Sequence, residues 1–128
     1  SLPMSKWTDE ELKKIESAEE LNLSSLRADD TLRKPVTMWV VRVGDDVFVR
    51  SVKGRNGPWF HGAQTRHEGR INSGGVQKDV LFIEEPDPGL NEKIDAAYSQ
   101  KYHHHPKEFV DSVLSDAARA STLKLVPQ

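Results

Sequence analysis

The stretch that most constrains the fold of this chain is residues 33–60, which reads RKPVTMWVVRVGDDVFVRSVKGRNGPWF. Residues 36–43 and 47–52 are rich in β-branched and aromatic side chains, and they flank the turn sequence Gly44-Asp45-Asp46. This pattern predicts a β-hairpin. Apolar residues occupy both alternating faces of residues 36–43, so we expect a central strand that is buried on both sides.

The same stretch is unusually rich in cations. Six of them lie within 23 residues: Arg33, Lys34, Arg42, Arg50, Lys53 and Arg55. Glycines in the loop at residues 53–57 allow a ligand to approach the backbone, and the cationic side chains supply positive charge. We therefore predict a local site for a phosphate-bearing ligand. The alternative is that these cations are solvated strand residues beside a turn.

Composition limits the function classes. The formal net charge is −2, which argues against a surface that binds nucleic acid or an anionic membrane. Cysteine is absent, so disulfides, thiolate nucleophiles and thiolate-bound metals are excluded, and a cytoplasmic location is expected. No apolar segment approaches the roughly 20 residues of a membrane helix. We expect a single domain over residues 4–128 and interpret residues 1–3 as a tag remnant.

The remaining elements alternate helices with short strands. Thr8 and Glu11 match a capping box for a helix that extends to about Ala18. Patterning predicts strands at residues 21–26, 69–72, 76–84 and 122–126, and helices at 58–67, from 87 onward and at 107–114. The predicted fold is therefore α+β, with a small antiparallel barrel of five to six strands and flanking helices.

Histidines and carboxylates offer no clear catalytic group. His61 and His67 are six residues apart, which is not the spacing that places two imidazoles on one helix face. His103, His104 and His105 are consecutive, and adjacent side chains in regular structure point in different directions, so no metal site is predicted there. Ser51 lacks a recognisable base, and the paired carboxylates lie at turns and strand ends; catalytic residues are left unassigned.

A family resemblance rests on several of these segments. The series LRKPVTMWVVRVGDDVFVRSVKGRNGPWF, QTRHEGRINSGGVQKDVLFIEE, NEKIDAAYSQKY and TLKLVP resembles the bacterial family called domain of unknown function 2255. Its element order is also similar to that of the deazaflavin-dependent nitroreductases among the flavin-binding split barrels. Two departures from the nitroreductase pattern are visible: its paired loop glycines are spread over residues 54–57, and Gly62-Ala63 replaces an Asn-Leu pair.

The resemblance implies a cofactor site on matching positions. The cofactor-binding residues would be Arg33, Lys34, Arg50, Ser51, Lys53, Gly54, Trp59 and Phe60. Further aromatic and polar side chains are candidates for contact with a substrate: Trp39, His61 and Tyr98. A place in the hydrophobic core is the alternative for Trp39 and Trp59.

Two functions remain open at this stage. In the first, the chain binds FMN or a deazaflavin and acts as an oxidoreductase on a small organic acceptor. In the second, the same split barrel lacks a redox cofactor and binds a small anionic or aromatic ligand. The resemblance implies a homodimer in either case, and no nucleic acid or membrane partner is expected.

Overall fold

A computed structural model describes residues 5–128 of the chain. The tag interpretation of residues 1–3 lies outside these described residues. The helices in this part are α1 (Asp9–Ser17), α2 (Pro58–Arg66), α3 (Pro88–Lys101), α4 (Lys107–Ser112) and α5 (Asp116–Arg119). The strands are β1 (Leu21–Ser25), β2 (Val36–Met38), β3 (Val41–Val43), β4 (Asp46–Val49), β5 (Glu68–Ser73), β6 (Val76–Glu84) and β7 (Leu123–Pro127). A short 3-10 helix, Gly54–Asn56, precedes α2.

All seven strands of the described part form one antiparallel sheet in the order β2-β1-β5-β6-β7-β4-β3. Only Trp39 and Val40 separate β2 from β3 along the chain, yet these two strands lie at opposite ends of the order. Two residues cannot span a flat seven-stranded sheet, because strands are about 4.8 Å apart. The sheet therefore curls into a half-barrel, which confirms the predicted α+β split barrel, with seven strands instead of five or six.

The prediction of one central strand over residues 36–43 is wrong. The backbone of Val40 is bound by side chains from the end of α3 and the residue after it: its N–H donates to the Tyr102 hydroxyl at 3.1 Å, and its carbonyl accepts from Lys101 Nζ at 2.9 Å. These bonds replace strand pairing at Val40, so the segment bends and supplies the two edge strands. The predicted hairpin survives only as β3 and β4, and β4 ends at Val49 rather than at residue 52.

β4, rather than residues 36–43, is the strand whose side chains are buried on both faces of the sheet. Val47 and Val49 belong to the larger core, together with residues such as Leu23 and Ile71. Phe48 faces the other way, into a second core beneath α3. This second core contains Val41, Phe48, Ile94, Tyr98, Tyr102 and Val113. The sheet therefore packs against the larger core on one side and against the second core, beneath α3 and α4, on the other.

The first helix begins as its sequence indicates. The Glu11 N–H donates to Thr8 Oγ1 at 3.1 Å, and the Thr8 N–H donates to Glu11 Oε1 at 2.9 Å, which is the reciprocal capping box. Trp7 lies just before this cap, and its indole N–H donates to the Leu125 carbonyl at 2.9 Å. That bond ties the start of the described chain to β7. None of the helices formed by residues 5–128 is long and apolar enough to cross a membrane.

Candidate ligand-binding cavity

A cavity of about 570 Å³ opens between β2, the segment that follows β4, the start of α2, and α4. Its volume lies within the range that is common for sites of small organic molecules. Its walls are mainly aliphatic and aromatic: Val36, Met38, Trp39, Val52, Trp59, Phe109 and Val113. A ligand bound here would exchange water for apolar contacts over much of its surface.

Two tryptophans form fixed aromatic walls. Trp39 stacks on Tyr102 with ring centroids 4.0 Å apart and an interplanar angle of 4°. Trp59 meets Phe60 edge to face, with centroids 6.0 Å apart. Both tryptophans are half-buried, whereas Tyr102 and Phe60 are fully buried. The buried rings hold the tryptophans in position, so the walls are preorganised for a planar ligand.

The mouth of the cavity is apolar and open to solvent. Val52 is 55% exposed, Phe109 is 54% exposed and Val36 is 37% exposed. Large apolar side chains that cluster in this way around an opening are typical of a binding surface rather than of ordinary protein surface.

Few polar groups line the cavity. The Thr37 hydroxyl donates to Asn22 Oδ1 at 2.6 Å, and the Ser112 hydroxyl donates to the Phe109 carbonyl at 2.5 Å. Lys53 is exposed at the rim. Among the ion pairs formed by residues 5–128, none involves Lys53. Its ammonium group is therefore available to an anionic ligand.

Arg50 lines the cavity, but its guanidinium is committed to the protein. Nε donates to Thr122 Oγ1 at 2.9 Å, and Nη1 donates to Asp95 Oδ1 at 2.5 Å and to the Val113 carbonyl at 2.9 Å. Nη2 donates to the side-chain and main-chain oxygens of Asn91. A guanidinium has five N–H donors, and these contacts use all of them. Arg50 therefore joins the sheet to α3 and to the end of α4.

The other cations of the predicted cluster are dispersed. Arg33 donates to the Leu26 and Gly62 carbonyls at 2.9 and 3.1 Å, so it ties β1 to α2. Arg42 pairs with Glu16, and Arg55 pairs with Glu84. The hydrogen bond from Arg55 holds the pKa of the Glu84 carboxyl below its ordinary value. Lys34 is exposed and lies outside the set of residues that line the cavity.

Several other predicted site residues also lie outside the cavity lining. Phe60 and Tyr98 are fully buried in the two cores. Burial raises the pKa of the Tyr98 phenol above its ordinary value, so this side chain is a neutral core aromatic. Gly54 adopts φ +70° and packs against Ala117, and His61 is exposed on α2. Of the predicted residues, the structure brings together Trp39, Arg50, Ser51, Lys53 and Trp59.

Sequence reasoning missed one wall of the cavity. Phe109, Ser112 and Val113 come from α4 and the residue that follows it. An aromatic residue in a short, charged helix is the local signal, but nothing in the sequence of α4 indicates that Phe109 lines the same cavity as Val36 and Trp59. That relation depends on Arg50, which holds the Val113 carbonyl.

The family of the chain follows from comparison with known families. The model of the family described as "Uncharacterized protein conserved in bacteria (DUF2255)" matches residues 11–125. The chain belongs to this family. The match includes every strand except the last two residues of β7, so the family resemblance inferred from the sequence is confirmed. A comparison with curated proteins finds no significant match.

Solved structures share the fold of this DUF2255 protein at low sequence identity. A pyridoxamine 5′-phosphate oxidase-like protein from Listeria innocua has a TM-score of 0.65 and 17% identity, over 94% of this chain and 92% of that one. A FAD-binding protein from Mesorhizobium loti has a TM-score of 0.59 and 14% identity, over 99% and 94% of the two chains. An F420 reductase, with 12% identity over 99% and 94% of the chains, has a TM-score of 0.55. At such identities the likeness establishes the split-barrel fold.

Proposed function

We propose that this protein binds a flavin, FMN or a deazaflavin, in the cavity between Trp39 and Trp59, and that it acts as an oxidoreductase on a small organic acceptor. The observation that carries the proposal is the pair of preorganised tryptophans in an apolar cavity with the single amine of Lys53 at its rim. Neighbours of the same fold that are described as FAD-binding or as an F420 reductase support the class of ligand.

Four of the lining residues have a distinct physical role in this proposal. Trp59 and Trp39 contact the ring system and exclude water from it. Lys53 binds the phosphate as a point charge. A bound flavin would supply the hydride chemistry, while the protein supplies position and charge. Arg50 has no free donor for the ligand, so it acts by holding α4 in place as the opposite wall.

The charge of the cavity favours a ligand with one phosphate. Lys53 is its one lining cation, among the described residues, that the protein does not itself neutralise. FMN has a single phosphate, whereas FAD and F420 carry larger anionic extensions that would need further cations. We therefore rank FMN first among the flavins.

A second copy of the chain is the proposed cover for the mouth. Val36, Val52 and Phe109 expose apolar surface there, and β2 is an edge strand whose outer side is unpaired within residues 5–128. Light scattering coupled to size exclusion should give the mass of a homodimer. A Phe109→Glu variant should shift that mass toward the monomer, because a charge would then be buried in the interface.

A second candidate function follows from the commitment of Arg50. Because Lys53 is the one lining cation, among the described residues, that the protein does not neutralise, the cavity also fits a small aromatic acid without any redox group. In that case the protein would be a ligand-binding split barrel rather than an oxidoreductase. Both candidates use the same cavity, but only the first binds a redox-active flavin, which absorbs visible light.

Titration with defined cofactors separates the two candidates. Purified protein would be titrated with FMN, FAD and F420, and binding would be followed by calorimetry and by flavin absorbance. We expect saturable binding of at least one cofactor, and loss of about tenfold or more in affinity for Trp59→Ala. Trp7→Phe is the matched control, because Trp7 is bonded to Leu125 and lies outside the cavity lining. If no cofactor binds, the flavin proposal fails and the cofactor-free candidate remains.

A further inference from the structure

The histidine tract forms a cluster of potential metal ligands with Glu19. The structure assigns to Glu19, His104 and His105 a site for a divalent transition metal ion such as Zn²⁺, Ni²⁺ or Cu²⁺. Their ligand atoms all lie within 4.8 Å of one another. The site lies where the turn after α3 meets the residues that precede β1, beside the Trp39 ring.

The turn after α3 is what allows two adjacent histidines to converge. α3 ends at Lys101, and residues 102–105 form turns rather than a helix or strand. The His104 and His105 rings are 4.7 Å apart between centroids, and His105 Nε2 already contacts Glu19 Oε1. The argument that adjacent side chains diverge applies to regular structure, and it does not apply to this turn.

The protein holds the backbone on both sides of the cluster. The Tyr102 hydroxyl donates to the Glu19 carbonyl at 2.8 Å, and the His105 N–H donates to the Tyr102 carbonyl at 3.0 Å. The His105 ring also lies 4.9 Å from the Trp39 ring. The backbone that holds these ligands is therefore fixed, while their side chains remain accessible. A fixed backbone lowers the entropic cost of ordering the ligands around an ion.

The donor set selects the class of metal. Two imidazoles and one carboxylate suit zinc and its neighbours in the first transition series, whereas Ca²⁺ and Mg²⁺ prefer oxygen ligands alone. Metal–ligand bonds of about 2.0–2.2 Å require ligand atoms no more than about 4.4 Å apart. Glu19 and His104 are exposed and His105 is half-buried, so rotation of the first two side chains would close the remaining gap from 4.8 Å. At least one coordination position is left for water.

The charges around the cluster are of both signs. Glu16 and Lys101 both lie near Glu19, and burial lowers the pKa of the Lys101 ammonium while these carboxylates oppose that shift. Lys101 Nζ is directed at the Val40 carbonyl, 2.9 Å away. This hydrogen bond holds the ammonium group on the Val40 backbone, and Glu16 offsets part of its charge.

Within the tract, His103 provides a matched control. Its Nδ1 is hydrogen-bonded to the Gln100 carbonyl at 2.8 Å, so its ring is held at the end of α3. His103 is outside the group whose ligand atoms converge. It has the same chemistry as His104 and the same exposure, but not its position.

The test uses the full chain, free of any affinity tag and stripped with a chelator, titrated with ZnCl₂ by calorimetry. We expect one ion per chain for the wild type, and Glu19→Gln and His104→Ala to weaken binding by at least about tenfold, since even indirect partners of metal ligands contribute that much. His103→Ala should remain within about twofold of the wild type. Zn²⁺ should also raise the melting temperature of the wild type but not of Glu19→Gln.

Two outcomes overturn the assignment. If His103→Ala weakens binding as much as His104→Ala does, or if Glu19→Gln binds Zn²⁺ like the wild type, the tract binds metal adventitiously. The position of the metal site is checked separately with Cu²⁺. A Cu²⁺ ion bound at His105 should quench the fluorescence of the neighbouring Trp39. Quenching that persists fully in Trp39→Phe contradicts the position. Metal-free melting temperatures confirm that each variant is folded.

Discussion

Arg50 Nη1 lies 2.5 Å from Asp95 Oδ1, and the side chain of Arg50 is completely buried while that of Asp95 is 20% exposed. Asp95 also receives a hydrogen bond from Arg119 at 2.8 Å. One carboxylate thus joins the buried arginine that follows β4 to an exposed arginine of α5. The arrangement fixes α3 and the end of α4, and with them one wall of the cavity.

Replacing Arg50 by methionine should therefore destabilise the protein strongly. Asp95, Asn91, Thr122 and the Val113 carbonyl would all lose a donor. Removal of one partner from a buried ion pair costs about 3–5 kcal/mol, and we expect about 3 kcal/mol because Arg119 still pairs with Asp95. Urea denaturation gives the free energy of unfolding.

Arg119→Gln is the matched control, because it removes the other arginine from the same carboxylate. The Arg119 side chain is 44% exposed, so the loss should be below about 1 kcal/mol. Equal losses for the two variants would contradict the buried role of Arg50.

The two tyrosines of the chain should resist ionisation while the protein is folded. Burial raises the pKa of both Tyr98 and Tyr102, whereas an unfolded tyrosine titrates near 10. Absorbance at 295 nm should therefore stay flat as the pH rises through 10 and should increase only when the protein unfolds.

The same pKa shifts fix how stability depends on pH. Above the unfolded tyrosine value, the unfolded chain releases protons that the folded chain retains, so the free energy of unfolding falls as the pH rises further. Below the pKa of an unfolded tyrosine, both states keep the phenol protonated, and the full contribution of the buried tyrosines to the free energy of unfolding is present. A reversible increase at 295 nm near pH 10, with unchanged circular dichroism, would show that at least one phenol is accessible.

Gly69 of β5 leaves no room for a side chain against β1. A Cβ at this position would lie 2.2 Å from the Ser24 carbonyl oxygen and 2.9 Å from Phe82 Cζ. Because the first of these atoms is backbone, Gly69→Ala must separate the strands, and we expect a loss of about 1–3 kcal/mol. Urea denaturation measures it.

Gly89→Ala serves as the control for Gly69→Ala. At Gly89, in the first turn of α3, the nearest contact is Asp87 Oδ2 at 3.4 Å, which is ordinary packing. That variant should gain about 0.4–1 kcal/mol, because alanine has fewer unfolded conformations than glycine. Destabilisation of similar size in both variants would contradict the steric explanation.

Local sequence patterns predicted most helices and strands, because helix caps, turns and the alternation of apolar and polar residues depend on residues that are close together in the sequence. The Thr8 capping box forms as predicted, and the turn between β5 and β6 lies between the strands predicted at residues 69–72 and 76–84. The split of residues 36–43 into two edge strands was not predictable in this way. It depends on Lys101 and Tyr102, which lie more than 60 residues away and bind the backbone of Val40.

The candidate site was predictable only in part, for the same reason. Trp39, Ser51, Lys53 and Trp59 lie close together in sequence, and the structure places them around one cavity. The partners of Arg50 come from distant segments: Asn91, Asp95, Val113 and Thr122. A cluster of cations in the sequence gives no information about such partners, so charge that appeared available for a ligand is used inside the protein.

We propose that the cavity between Trp39 and Trp59 binds a flavin ring while Lys53 binds its phosphate. The most direct measurement is a calorimetric comparison of FMN with riboflavin, which lacks the phosphate, in the wild type, in Lys53→Ala and in the control Lys93→Ala on exposed α3 surface. We predict that the wild type and Lys93→Ala prefer FMN by about tenfold, or about 1.4 kcal/mol, and that Lys53→Ala binds both equally. Absence of binding by the wild type, or a preference for FMN that persists in Lys53→Ala, would contradict the account.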